Sequence, residues 1–271
     1  SLNSEIEVIA GLSQAAQRQN CSHRILLMLE LGDLREGIRL ADIDGLVNKC
    51  LKLPNIYVEG VGTNLACLSG VKPDASKMKL LSDTAESLRS RFGLTMKTVS
   101  GGNSATLDWL YGIQTSARNS TYESAQSIGN INNLRLGEAI LLGCETLYRQ
   151  PISGLYNDAV TLVTEVIEAK IKPSVPEGDI AQNAFGERAS FSQRGDIQRS
   201  ILSIGHQDTL IEGITPENPD LQVLGASSDH LVLDSTRSPL RVGAQVRFRL
   251  NYGALLAAMT SPFIAKPQGN L

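Results

Sequence analysis

Apolar residues recur at helical spacing in the first half of the chain, and short strand-forming runs separate these stretches. Ile6, Ile9 and Ala10 share one face of residues 4–17, which predicts a helix opened by Ser4 and Glu7 in capping-box spacing. Met78, Leu81, Ala85, Leu88 and Phe92 predict a longer apolar-faced helix over residues 74–92, stopped by Gly93. Shorter helices are expected at 41–51 and 104–111. Between them, residues 23–31 (H-R-I-L-L-M-L-E-L) are almost continuously apolar, the pattern of a strand covered on both faces. Residues 56–60, 95–99 and 134–136 predict further strands. Strands alternating with helices indicate right-handed βαβ units and a parallel sheet, either barrel or doubly wound. Five strand positions fit before residue 145, whereas an eight-unit barrel takes about 250 residues. The expectation is a partial barrel of about five units out of eight.

From about Tyr156 the pattern changes. Residues 159–171 alternate and are β-branched, Pro173 and Pro176 punctuate the chain, and 199–204, 221–224, 230–233 and 245–250 read as short strands. The predicted division is therefore an α/β unit at 1–155 and an antiparallel β domain at 156–271. Residues 115–130, polar and without apolar period, read as a surface loop, as do residues 185–196.

Composition narrows the function. Apolar residues make up 42% of the 271, ample for a core, and a formal net charge of -3 with one Trp disfavours nucleic acid as a partner. The four cysteines (Cys21, Cys50, Cys67, Cys144) form no C-x-x-C pair, so neither zinc nor a disulfide framework is suggested and a reducing cytoplasm fits. No run of about eighteen apolar residues suggests a membrane span. The chain opens on Ser1-Leu2-Asn3 and runs directly into a helix, which reads as a start in mid-fold.

The chemistry-bearing stretch is residues 98–107, T-V-S-G-G-N-S-A-T-L. A strand-prone run breaks at two glycines and Asn103-Ser104 then opens a helix, a layout that suits an anion such as phosphate. Gly60-Val61-Gly62-Thr63-Asn64 and Arg135 to Gly137 fall, like this turn, at or near strand C-terminal ends, where barrel enzymes keep their active sites.

Six motifs in order carry a family resemblance: G-D-L-R-E-G-I (32 to 38), G-V-G-T-N-L-A-C (60 to 67), V-S-G-G-N-S (99 to 104), N-N-L-R-L-G-E-A-I-L-L-G (132 to 143), L-G-A-S-S-D-H-L-V-L-D (224 to 234) and Y-G-A-L-L-A-A-M-T-S-P (252 to 262). The chain resembles pyridoxal-phosphate amino-acid racemases of the alanine racemase type (fold type III), in which a (β/α)8 TIM-type barrel precedes a β domain, and is most similar to their ornithine racemase branch. The resemblance implies pyridoxal 5'-phosphate as cofactor. Arg135 matches the arginine that hydrogen-bonds the pyridine nitrogen; Ser104, Gly137 and Tyr252 match phosphate-side residues, and Ser100 in the same turn is a further cofactor-binding candidate. Asn64 stands where the family often has a histidine over the ring, and Arg35 matches an arginine near the cofactor hydroxyl and the substrate carboxylate. Ser228 and Asp229 match a pair that approaches the substrate from a partner subunit, which implies a homodimer. His206, in Gly205-His206-Gln207-Asp208, replaces the family's acid/base tyrosine as the second base.

Read as residues alone, Arg135 also fits a surface ion pair, His206 an ordinary half-buried histidine, Asn64 a cap, and Asp229-His230 a strand-end turn. The chain departs from the family in several places. The lysine that carries the cofactor as a Schiff base is expected upstream of Ser1, and no lysine here replaces it, so the reading is of an N-terminally truncated enzyme that does not catalyse alone. The Arg135 motif is one residue longer than usual, and Leu141-Leu142 stand where a tyrosine is expected. The implied reaction is inversion of the Cα centre of a free amino acid, ornithine or another small one, by two-base proton transfer. For recognising a distal amine, Asp33, Glu36 and Asp229 are candidates. A D-amino-acid lyase or aldolase of the same fold and a non-catalytic cofactor-binding protein are the rival functions.

Overall fold

Five parallel strands organise the first half of the chain: β1 (Leu2–Asn3), β2 (His23–Leu29), β3 (Ile56–Thr63), β4 (Thr98–Asn103) and β5 (Asn133–Arg135), hydrogen-bonded in that order. Helices α1 (Ile6–Arg18), α2 (Ile43–Cys50) and α3 (Ala75–Phe92) alternate with them, and short helices α4 (Thr106–Tyr111) and α5 (Glu138–Leu142) follow β4 and β5. The computed structural model describes residues 1–111, 129–186, 188 and 190–267. All but the last two residues of the polar stretch 115–130 lie outside them.

The predicted elements recur with shifted edges. The Ser4–Glu7 capping box is not formed: Glu5 is the N-cap of α1, with no side-chain cap bond. Leu2 and Asn3 pair with Leu26 and Leu27 as a parallel strand, so the helix starts two residues later than its sequence signal. For α3 the signals hold. Asp74 Oδ1 accepts the Lys77 N–H at 2.8 Å, and Gly93 leaves the helix in the left-handed region at φ 64°. Its expected core residues Met78, Leu81, Ala85 and Leu88 are buried against Ile25, Leu27, Val61 and Val99 of the sheet. The glycines of 100–102 do not break the strand, since β4 continues through them to Asn103. Side chains there would collide: a Cβ on Gly101 would sit 2.9 Å from Ile131, and one on Gly60 would run into the Thr98 carbonyl.

The chain forms two units, Ser1–Asn157 and Asp158–Leu271. The second is an antiparallel sheet of β6 (Leu162–Pro173), β7 (Asp196–Leu202), β8 (Ile214–Pro216), β9 (Gln222–Ala226), β10 (Leu231–Asp234) and β11 (Gln245–Leu250), followed by α6 (Tyr252–Thr260). Strand order β8-β11-β6-β7-β10-β9 brings the edges β8 and β9 near each other, so the sheet almost closes. Phe248, Leu202, Leu231, Leu233 and Val166, all 0% exposed, fill it. The short strand β8 had no sequence signal. Among the described residues, no helix is long and apolar enough to cross a membrane.

Candidate active site

Because β2 to β5 are parallel, the segments leaving their C-terminal ends meet at one edge of the sheet. The segment after β2 folds back on its strand: the Ile38 N–H donates to the Met28 carbonyl at 2.7 Å and the Glu30 N–H to the Ile38 carbonyl at 3.0 Å. Gly37, at φ 143°, makes this return possible, since a Cβ there would meet the Glu30 backbone. Arg35 lies in this segment, Asn64 follows β3, Asn103 and Ser104 end β4, and Arg135 closes β5.

Three of these residues, Asn64, Asn103 and Arg135, are joined by hydrogen bonds. Arg135 Nη1 donates to Ser100 Oγ at 2.6 Å; Nη2 donates to the Thr63 carbonyl at 2.8 Å and to Asn64 Oδ1 at 3.3 Å. Ser100, fully buried, passes its own proton to Asn133 Oδ1 at 2.7 Å, so its hydroxyl is committed to holding Arg135. Asn103 is the hub on the other side. Its Nδ2 reaches Asn64 Oδ1 at 2.9 Å, the Leu65 carbonyl at 2.8 Å and Cys67 Sγ at 3.1 Å, while its Oδ1 accepts the Ala105 N–H at 2.8 Å. Two donors on Asn64 Oδ1 fix the orientation of that amide. Its Nδ2 is then buried with no hydrogen-bond partner among the described residues. Ser104 Oγ, 4% exposed, accepts the N–H groups of Gly137 (3.3 Å) and Ala139 (3.2 Å). With both lone pairs taken, the hydroxyl has its proton left to donate.

Charge is concentrated here. Arg35 forms a two-pronged pair with Glu36 through Nε–Oε2 and Nη2–Oε1, the latter at 2.7 Å. The hydrogen bond to Glu36 raises the guanidinium's pKa against burial, and Cys67 adds to it. Glu36 is lowered, first by the Arg35 hydrogen bond, against burial, and further by the charges of Arg35 and Arg135. Burial lowers Arg135, with Glu36 and Cys67 opposing and Arg35 adding to the effect. A guanidinium still keeps its proton at this depth.

Of the three carboxylates expected to meet a distal amine, Asp33 is committed elsewhere. It is 1% exposed and accepts the backbone N–H groups of Cys67, Leu68 and Ser69 at 3.0 to 3.2 Å, clamping the loop after β3.

The other predicted residues belong to the second unit. The His206 N–H donates to the Ser227 carbonyl at 3.0 Å and the Gln207 N–H to that of Ser228 at 2.9 Å, so the Gly-His-Gln-Asp turn lies directly on the Ser-Ser-Asp turn. Gly205 is obligatory, because a Cβ would run into the backbone of Ser228 and Asp229. Asp208 is structural: it accepts Gly205 N–H at 3.0 Å and Ser261 Oγ at 3.4 Å. The half-buried His206 ring packs against Phe185, centroids 4.3 Å apart. Asp229 pairs with His230 Nδ1 at 2.8 Å, and this bond is foremost in lowering its carboxyl. Tyr252 opens α6, 42% exposed. From the sequence, Cys67 has no site role, Thr63 and Asn103 enter only as members of strand-end turns, and Glu36 only as a substrate contact. All four stand inside the quoted motifs, but only the folded sheet edge shows what they bond.

A parallel barrel-type sheet with polar residues gathered at its strand C-terminal ends, followed by an antiparallel β domain, is the architecture of the alanine racemase type. Residues 3–118 match the family model for the alanine racemase N-terminal domain. An ornithine racemase of Acetoanaerobium sticklandii is 39% identical over 269 residues, 98% of this chain and 73% of that protein. A lysine racemase of Thermotoga maritima is 35% identical over 264 residues, 97% of this chain and 70% of the relative. Among solved structures, alanine racemase from Streptomyces coelicolor A3(2) superposes with a TM-score of 0.64 at 16% identity, covering 96% of this chain and 67% of its own. Alanine racemase from Bartonella henselae with covalently bound pyridoxal phosphate gives 0.59 at 15%, covering 97% and 67%. D-threonine aldolase from Filomicrobium marinum gives 0.62 at 14%, covering 94% and 62%. The chain belongs to the alanine racemase-type family of fold type III amino-acid racemases.

Proposed function

We propose that the protein is a pyridoxal-phosphate-dependent racemase of a free amino acid, ornithine or another small or basic one. The observation that carries this reading is Arg135, locked at the end of β5 by Ser100, Thr63 and Asn64. A guanidinium has five N–H groups; three are used here, which leaves donors over for a ligand. Ser104's remaining proton and the unpartnered Asn64 Nδ2 are further buried donors, and all three suit a phosphorylated heteroaromatic acceptor. Arg135 would face the pyridine nitrogen and Ser104, with the Gly137 backbone, the phosphate.

Pyridoxal phosphate, when bound, draws electrons from the Cα–H bond of the amino acid attached to it. Because Arg135 keeps its proton, it would donate to the ring nitrogen rather than protonate it, restraining that withdrawal and disfavouring side reactions. Arg35, held by Glu36, would orient the substrate carboxylate. His206 would carry a proton to or from Cα on one face, with the family's lysine acting on the other. The Ser228-Asp229 turn touching the His206 turn would approach a neighbouring copy's barrel, so a homodimer in a reducing cytoplasm is part of the proposal. Two racemase relatives above 30% identity favour this over the aldolase, whose likeness at 14% extends to the fold alone.

The test is chiral chromatography of L- and D-ornithine and lysine incubated with the protein, expressed from its complete reading frame and supplied with pyridoxal phosphate. Interconversion in both directions by a dimeric fraction is expected; a substrate lost to cleavage, or none inverted, overturns the reading.

A further inference from the structure

Resting on that cofactor reading, we propose that Cys67 walls the ring end of the cofactor site, so that bound pyridoxal phosphate and a bulky adduct on the Cys67 sulfur exclude one another. Cys67 is exposed, yet its position is tightly specified. Asn103 Nδ2 donates to Cys67 Sγ, and the same nitrogen donates to Asn64 Oδ1. Arg135 Nη2 donates to that same Asn64 Oδ1, so the sulfur is joined to Arg135 through Asn103 and Asn64. The sulfur therefore belongs to the hydrogen-bonded cluster that holds the group assigned to the ring nitrogen.

An independent observation points to a ligand at this place. Asn64 is 7% exposed and its amide head enters the same cluster, with Oδ1 occupied by Asn103 and Arg135, while Nδ2 meets no acceptor. A buried amide donor left unpaired costs on the order of 1–3 kcal/mol, so an acceptor arriving beside Cys67 would relieve it. The cofactor ring is the acceptor-bearing group that the Arg135 and Ser104 donors already call for.

The four cysteines supply internal controls, because Cys21 is also exposed and Cys50 is buried. The experiment is alkylation with iodoacetamide, in which the sulfur displaces iodide and a carbon–sulfur bond forms, read site by site by peptide mass spectrometry while cofactor absorbance reports binding. Saturating pyridoxal phosphate is expected to slow Cys67 labelling at least tenfold and to leave Cys21 within twofold. Inorganic phosphate alone, which would occupy the Ser104 end, leaves Cys67 labelling unchanged. Conversely, protein alkylated at Cys67 loses at least tenfold in cofactor affinity. Unchanged Cys67 labelling while absorbance shows the cofactor bound overturns the inference and spares the proposed function; protection by phosphate alone also overturns it. Absence of any binding signal removes the cofactor reading, and this inference falls with it.

Discussion

Asp33 holds the loop that follows β3. Its buried carboxylate takes three consecutive backbone N–H groups, from Cys67 to Ser69, and Ala66 just before them is held at φ 60°, an unfavourable conformation for alanine. Replacing Asp33 by Ala leaves three amides without their acceptor. The expected loss is on the order of 3 kcal/mol in urea unfolding, with amide exchange of residues 67–69 rising more than that of β3. Unaltered exchange in this loop would show that the clamp is not what holds it. The sequence motifs name Arg35, Asn64, Ser104 and Arg135, and the fold places all four at strand C-terminal ends. The motifs could not assign Ser100 to Arg135, Asp33 to the loop or Asn103 to its hub, because those roles depend on which strand ends become neighbours.

At the scale of elements, α3 is the best-specified helix, and its N-cap has a predictable pH response. Burial pushes the Asp74 carboxyl up, but hydrogen bonds from Lys77 and Ser76 more than offset it and hold it at about 2. A folded pKa below the ordinary 3.8 means that the cap contributes fully above about pH 4 and is lost as pH falls through about 2. Asp74→Ala is therefore expected to cost about 1 kcal/mol at neutral pH, with the gap from the unaltered protein closing toward pH 2. A gap that stays constant across that window would contradict the assignment. Helices α1 to α3 and strand β11 were legible because each spans enough residues to show a period. Strands β1 and β8, with two and three residues, are too short for one, and β4 was cut short because two glycines are also a turn signal.

At the scale of the whole molecule, the candidate residues fall in two units. The first gathers Arg35, Asn64, Ser104 and Arg135 at the C-terminal edge of a parallel sheet, as the barrel pattern implied. The second joins the His206 turn to the Ser228-Asp229 turn through two backbone hydrogen bonds. The central claim, that the sheet edge holds pyridoxal phosphate through Arg135, is tested most directly by titrating the cofactor into the protein and its Arg135→Gln variant, with binding followed by absorbance and folding by circular dichroism. The account predicts saturable binding that weakens at least tenfold in the variant while the fold persists. Equal binding by the two proteins would contradict it.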